Sequence, residues 1–292
     1  MVTNLVFKGG GVKGIAFVGA LRELEKGNHL QNVKRVGGTS AGALVAAMYA
    51  LDYTVDQIET LMNGLNFTSF EDHFDIFRLG THYGLYVGDY ILEFAHKLLL
   101  GCNKDLSADA TFADMRAAGC RDLYIFATNL NAHSVVELSA DKTPGAIVAE
   151  AIRASMSIPL FFKAWRFSNG IPDQHIYVDG GLLFNYTISF FDNARFSPVQ
   201  NEANPETIGL FLQSPPADQV NDELMFDTPL HYVRHLFETL LDSQDQDFIE
   251  DNVQLSRSVM IDDLGIPATK FNLTADDVSK LIASGAKGAT EF

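Results

Sequence analysis

The chain has 292 residues, 47% hydrophobic and 20% charged, which is ample material for a packed core. Lys and Arg number 21 against 37 Asp and Glu, a net charge of −16; this excludes nucleic acid, whose phosphates demand a basic footprint, and purely electrostatic docking on anionic membranes. Cys102 and Cys120 are the two cysteines, too few for a disulfide framework, and they read as reduced thiols of a cytosol-type protein.

Asn4 to Lys8 is short, β-branched and aromatic and runs into glycines, the pattern of a buried strand. Val12 to Lys26 reads as a helix, with Ile15, Val18, Leu21 and Leu24 at helical spacing and Gly27-Asn28 as its stop. Val33 to Val36 is a second strand and Ser40 to Leu51 a second helix, so the first quarter is β-α-β-α with parallel strands expected. Val55 to Leu65 predicts a third helix. A stretch dense in aromatics follows, with Phe67, Phe70, Phe74, Phe77, Tyr83 and Tyr86. Gly88 to Leu100 and Thr111 to Ala118 predict helices, the latter with Thr111 as N-cap. Leu123 to Thr128 and Ser134 to Leu138 predict neighbouring strands joined at Asn129-Leu130-Asn131. Gly145 to Ser155 predicts a helix ended by Pro159. Ile176 to Val178, Thr207 to Leu212 and Ser258 to Ile261 predict strands, and Pro229 to Leu241 and Ala275 to Ala283 helices. The alternation without a linker predicts one α/β domain over residues 1–292. The N-terminus has no basic region, so no Sec signal is expected, and no run reaches 18 apolar residues, so no transmembrane span is expected.

Gly38-Thr39-Ser40-Ala41-Gly42 lies between the second strand and the second helix, the setting of a G-x-S-x-G nucleophile elbow. Such a turn holds the serine in a strained conformation and lifts its hydroxyl clear of the sheet, with glycine where side chains would collide. Gly9-Gly10-Gly11-Val12-Lys13-Gly14 follows the first strand and opens the first helix. Amides in such a loop converge at a helix N-terminus and suit an anion or a developing oxyanion. The expected donors are Gly9, Gly10, Gly11 and Val12, with Ala41 as the residue after the nucleophile, and with Gly14, Lys13, Gly38 and Gly42 in support. The same loop satisfies the dinucleotide spacing Gly9-x-Gly11-x-x-Gly14, but Val36-Gly37-Gly38 stands where a ribose-binding acid belongs. A P-loop is excluded because Ile15 occupies the lysine position. Asp179-Gly180-Gly181 follows the Ile176 to Val178 strand and places a carboxylate where α/β sheets assemble their sites.

Together the Gly9–Gly14 loop, the Gly38–Gly42 elbow, Ala154-Ser155-Met156-Ser157-Ile158-Pro159 and Asp179-Gly180-Gly181 resemble the patatin-like phospholipases in motif, order and rough spacing, over about the first two thirds of the chain. The resemblance implies a three-layer α/β/α fold with a mostly parallel central sheet, and a Ser40–Asp179 dyad that hydrolyses acyl esters of lipids without a cofactor. Lys13 departs from the arginine usual in the family, which puts a bidentate phosphate grip in doubt. A buried carboxyl has its pKa raised toward the range of a working base. The competing arrangement, a Ser–His–Asp triad, has His175, His231 and His235 as its nearest candidates. His231 and His235 lack the glutamate of a zinc-protease motif, so no metal is expected.

An acyl chain needs an apolar channel beside Ser40, and the aromatic stretch from Phe67 to Tyr90 is the expected wall or cap. The expected partners are a lipid or acyl-ester substrate and a membrane surface touched transiently through apolar residues. The acidic stretch Asp242 to Asp251 lacks a calcium-loop glycine and reads as a solvated helix face. An acyltransferase would share the same acyl-enzyme. The expected setting is the cytoplasm, or that of a bacterial effector exported without a Sec signal. Nothing in the sequence fixes the oligomeric state.

Overall fold

The structure is a computed structural model that describes residues 1–66, 69, 75, 77–171, 174–199, 202–214 and 229–292. The first half contains β1 (Asn4–Phe7), α1 (Ala16–Lys26), β2 (Arg35–Thr39), α2 (Ala41–Ala50), α3 (Val55–Asn63), α4 (Arg78–His82), β3 (Gly84–Tyr86), α5 (Asp89–Gly101), α6 (Phe112–Ala117), β4 (Asp122–Asn129) and β5 (Ser134–Ser139). The second contains α7 (Val148–Ser155), β6 (Leu160–Phe162), β7 (Tyr177–Asp179), β8 (Thr207–Gln213), α8 (Pro229–Ile249), α9 (Asn252–Leu255), β9 (Ser258–Asp262) and α10 (Ala275–Glu291). Of the aromatic stretch, Phe67, Phe70 and Phe74 lie outside the described residues, as does His73.

The main sheet runs β5-β4-β2-β1-β8-β9, with β7 also paired to β4. Its β1–β2, β1–β8, β2–β4 and β8–β9 pairs are parallel, and β5 and β7 run antiparallel to β4. The sheet is therefore mostly parallel, as expected, and its central strands are apolar on both faces because both are covered. Alternate residues serve opposite faces. Leu5, Phe7, Leu123, Ile125 and Ala127 join the core shared with α1, α2, α7 and α10. Val6, Tyr124 and Phe126 join a second cluster with Ile188, Phe191 and Phe196. That outer layer is built around a 3-10 turn, Ile188–Asp192, and Phe248 of α8, whose ring stacks on Phe211 at 4.2 Å.

α2 is apolar all round and buried along its whole length, which is what a helix between a sheet and other helices requires. α3, α6 and α10 begin at capping boxes on Thr54, Thr111 and Thr274, each satisfying end amides that would otherwise stay unpaired. Several boundaries differ from those expected: α10 runs on to Glu291 and α7 starts only at Val148, and three further differences lie close to the site. β2 starts two residues later and runs through the glycines to Thr39, because Gly37 and Gly38 pair with both β1 and β4. The first turn after the glycine loop is a 3-10 helix, Gly11–Ile15, rather than α-helix. α8 continues to Ile249 and absorbs most of the acidic stretch.

Candidate active site

The sheet brings the two expected catalytic side chains together by giving them one lane. β2 pairs with the first half of β4, ending at Thr39 opposite Phe126. The next residue of β4, Ala127, pairs with Asp179 of β7, which arrives from the opposite direction. Ser40 and Asp179 thus meet end to end, and Ser40 Oγ donates to Asp179 Oδ2 at 2.7 Å. Ser40 has φ 54° and ψ −128°, a conformation rarely adopted by a residue with a side chain and one that persists only where the surroundings enforce it. The surroundings are tight. A Cβ on Gly38 would lie 2.3 Å from the Gly42 carbonyl oxygen, and one on Gly42 2.4 Å from that of Phe7. Only glycine fits on either side of the serine.

Asp179 is fully buried. Burial pushes its carboxyl up to about 7, while hydrogen bonds from Ser40 and the Gly181 amide pull in the other direction. Gly181 N–H donates to Oδ1 at 2.7 Å, and Thr128 Oγ1 donates to the Asp179 carbonyl at 3.0 Å. Both carboxylate oxygens are thereby fixed, one on the serine and one on backbone. Gly180 and Gly181 act as expected in permitting this approach, since a Cβ on Gly180 would sit 2.3 Å from the Phe126 carbonyl oxygen.

The glycine loop contributes fewer amides than expected. Gly9 N–H donates to the Asn185 carbonyl at 3.0 Å, and Val12 N–H to that of Ala268 at 2.9 Å. Both are thereby removed from the set of oxyanion donors. Gly10 and Gly11 make no such bond among the described residues, and both line one cavity with Ser40 and Asp179. Ala41 opens α2 with a first-turn amide that has no intrahelical acceptor. Gly11 holds φ +56°, and a Cβ there would meet the Ala268 carbonyl oxygen at 2.0 Å. Gly14 packs against Ala41. Lys13 is not a free cation: its Nζ pairs with buried Asp263 Oδ2 at 2.5 Å, fastening the loop to the chain after β9.

Beside Ser40 lies an apolar cleft formed by Leu44, Met62, Met156, Ile158, Phe162 and Phe271. Among the described residues, none of the aromatic stretch lines it. Of that stretch's described members, Phe77 and Tyr83 are exposed and Tyr86 packs on Phe161. The cleft has a volume of about 20 Å³, room for about one water. No described histidine stands between Ser40 and Asp179. His175 Nδ1 is 2.9 Å from Asn129 Nδ2, and His235 lies on α8 near Glu238; the His231 side chain is outside the described residues. Among the described residues no group of three His, Cys, Asp or Glu side chains could hold a metal, and no helix is long and apolar enough to cross a membrane.

Several positioning residues carry no catalytic pattern in the sequence. Ser155 Oγ accepts the Ser40 N–H at 2.9 Å and donates to the Phe126 carbonyl at 2.6 Å. The Ser157 carbonyl accepts the Asp179 N–H at 2.8 Å. The Ala154–Pro159 segment therefore braces both members of the pair. Gln244 of α8 accepts the Asn185 N–H at 2.9 Å and donates to the Gly181 carbonyl at 2.8 Å. Lys8 is buried, donates to the Leu212 carbonyl at 2.6 Å and pairs with Asp245 of α8. The acidic face of α8 is thus partly internal, contrary to the expectation of full solvation.

Comparison with known proteins finds relatives in fold and in sequence. Solved structures with the same fold include VipD from Legionella pneumophila, with a TM-score of 0.65, 17% identity and 99% of this chain covered. The type III effector ExoU from Pseudomonas aeruginosa has a TM-score of 0.52, also with 17% identity and 99% coverage. Uncharacterized protein YqhO of Bacillus subtilis is 30% identical over 100% of this chain and 98% of its own length. Uncharacterized protein R571 of Acanthamoeba polyphaga mimivirus is 30% identical over 66% of this chain. A cUMP-AMP-activated phospholipase of Escherichia coli is 47% identical over 60 residues, 20% of this chain. The chain spans 62% of the mimivirus protein, 66% of VipD and 52% of ExoU. Residues 5–192, which hold the glycine loop, the elbow and Asp179, match the patatin-like phospholipase family, and the chain belongs to it.

Proposed function

We propose that the chain is a serine lipid acyl hydrolase of phospholipase A type, acting on phospholipids or lysophospholipids through Ser40 and Asp179. The observation that carries this reading is the 2.7 Å hydrogen bond from Ser40 Oγ to a buried carboxyl whose pKa stands at about 7. A carboxyl with that pKa accepts a proton at neutral pH and returns it. Ser40 Oγ attacks the ester carbon as its proton passes to Asp179, and the carbonyl oxygen becomes negative facing the Gly10, Gly11 and Ala41 amides. Collapse breaks the bond to the leaving alkoxide, which takes the proton from Asp179. Water then gives its proton to Asp179 and attacks the acyl carbon; collapse releases the fatty acid and returns the proton to Ser40.

The E. coli relative's name, with the family match, supports a lipid as the acyl donor. The fold supports one catalytic domain that includes the C-terminal third, because Asp263, Ala268 and Gln244 all bond to the site. Tyr232, Leu236 and Leu240 are 59%, 48% and 41% exposed at i, i+4 and i+8 of α8, one face of the helix that covers the pair. We read that face as a transient contact with the lipid surface. The setting we propose is the cytoplasm, or a host cell entered as an effector; ExoU, with the same fold, is a type III effector protein.

The test is a fluorophosphonate probe with peptide mapping, paired with a panel of phospholipid and lysophospholipid esters. Labelling at Ser40, with fatty acid released in the absence of an acceptor alcohol, is the expected result. Labelling at another residue overturns the dyad, and release only when an acceptor is supplied makes the enzyme an acyltransferase.

A further inference from the structure

Asn185 stands out among the side chains around Ser40. It is 2% exposed, and its terminal amide makes no hydrogen bond among the described residues; the amide atoms are not fully enclosed, and the residue lines a cavity. Its backbone is engaged on both sides. Its carbonyl accepts the Gly9 N–H at 3.0 Å and its N–H donates to Gln244 Oε1 at 2.9 Å. The position of the residue is therefore set without its side chain. A Cβ built on Gly9 would lie 2.2 Å from Asn185 Oδ1 and 3.3 Å from Ser40 Cβ, and one on Gly181 3.0 Å from the same Oδ1. The amide and the serine side chain thus flank a single point, and the space between them exists because residue 9 is glycine. Asn185 lines the cavity that also holds Gly10, Gly11, Ser40 and Asp179.

Resting on the dyad reading, we propose that the Asn185 side-chain amide is a catalytic residue: Oδ1 is the end that faces Gly9, no hydrogen bond among the described residues holds it there, and a turn about Cβ–Cγ exchanges it for Nδ2, whose N–H donates to the ester oxygen that becomes negative when Ser40 attacks. The loop itself motivates the assignment. With the Gly9 and Val12 amides spent on Asn185 and Ala268, the hole is short of donors on the side of β1. The Asn185 amide fills that side. An amide donor carried on a backbone anchored on both sides, in a site with little room for water, stabilises an oxyanion where solvent cannot. In the ground state the carbonyl oxygen is a weaker acceptor, so the bond strengthens as charge develops and acts on kcat more than on KM.

The experiment uses the full chain, a p-nitrophenyl acyl ester and an alkyl trifluoromethyl ketone. Ser40 Oγ adds to the ketone, giving its proton to Asp179 and leaving a hemiketal oxyanion in the hole. Asn185→Ala is expected to lower kcat by ~10²–10³-fold with KM within about twofold. Affinity for the trifluoromethyl ketone is expected to fall by the same factor, while affinity for the matching saturated hydrocarbon stays unchanged. Asn185→Asp, similar in shape but bringing a negative oxygen, is expected to lose at least as much. Asn185→Ser, with a shorter donor, is expected to recover part of the kcat without recovering thermal stability; these two variants carry the test if the alanine variant does not fold. A kcat within about threefold of wild type in folded variants overturns the proposal, as does equal loss of ketone and hydrocarbon binding. Wild-type protein that neither hydrolyses the ester nor is labelled at Ser40 overturns the dyad as well. Active, labelled wild type with indifferent Asn185 variants overturns the asparagine alone.

Discussion

At the scale of the residue, the site is a balance between burial and two hydrogen bonds at Asp179. With its carboxyl at about 7, the base is ionised only above that pH. kcat/KM is expected to rise about tenfold per pH unit below pH 7 and to level off above it, measured on a soluble ester. The same shift makes a statement about stability. The folded carboxyl holds its proton up to about 7 while the unfolded one loses it near 3.8, so the native state binds more protons between those values and stability falls as pH rises through that window. The full cost, about 4 kcal/mol, is present above pH 7. Asp179→Asn is therefore expected to be inactive by several orders of magnitude and yet more stable than wild type at pH 8, with the gain vanishing toward pH 3; denaturant melts at the two pH values check this. Ser155→Ala is expected to behave differently. It leaves the buried Ser40 N–H and Phe126 carbonyl without their shared hydroxyl, costing roughly 1–3 kcal/mol. It is also expected to slow fluorophosphonate labelling of Ser40 about tenfold as the elbow loosens. Ser40 and Asp179 could be read from the sequence because each sits in a local pattern of glycines at a strand end. Ser155 falls in a segment that the family resemblance marks without giving its hydroxyl a role, and Asn185 and Gln244 carry no mark at all, since their roles come from where the fold carries them.

At the scale of the element, the fold was legible where one segment decides its own state. The capping box at Thr111 and the antiparallel pair joined at Asn129 are set by neighbours in the chain. Legibility failed where a partner decides. Gly37 and Gly38 look like the end of a strand, but β1 and β4 on either side hold them in the sheet, and the bare Gly37 leaves room for the Phe191 ring. The small β3–β6 sheet pairs Gly84 with Leu160 across a long separation, and neither of these two short segments carries enough pattern to announce itself. The contact between α1 and α10 is a further case. A Cβ on Gly19 would sit 1.9 Å from the Ile282 carbonyl oxygen, and one on Gly285 1.9 Å from that of Ala16, so the two helices pack backbone to backbone. Gly19→Ala must push them apart and is expected to destabilise the protein by roughly 1–3 kcal/mol or more, read as a lower urea midpoint. Its larger consequence is for the site. The 3-10 turn that carries the glycine loop leads straight into α1, so displacement of α1 is expected to reduce kcat in a variant that remains folded.

At the scale of the whole molecule, a net charge of −16 and an apolar stripe on the helix above the catalytic pair make opposite demands on a lipid surface. α8 carries Tyr232, Leu236 and Leu240 outward. Its other side turns Phe237 and Leu241 toward the cavity, and Gln244 and Asp245 toward Gly181 and Lys8. The helix thus presents apolar side chains to solvent on one side and polar ones to Gly181, Asn185 and Lys8 on the other. Apolar burial in a membrane interface is insensitive to salt, whereas repulsion between an acidic protein and anionic lipid weakens as salt shortens the Debye length. The two contributions can therefore be separated by lipid composition. Co-sedimentation with zwitterionic phosphatidylcholine vesicles is expected to be independent of salt. Adding phosphatidylserine is expected to weaken binding at low salt and to matter little at high salt. Leu236→Asp with Leu240→Asp is expected to abolish binding to both vesicle types while leaving turnover of a soluble p-nitrophenyl ester within about threefold, because neither residue lines the cavity. Binding that strengthens with phosphatidylserine, or survives the double substitution, would place the lipid contact on another face of the molecule.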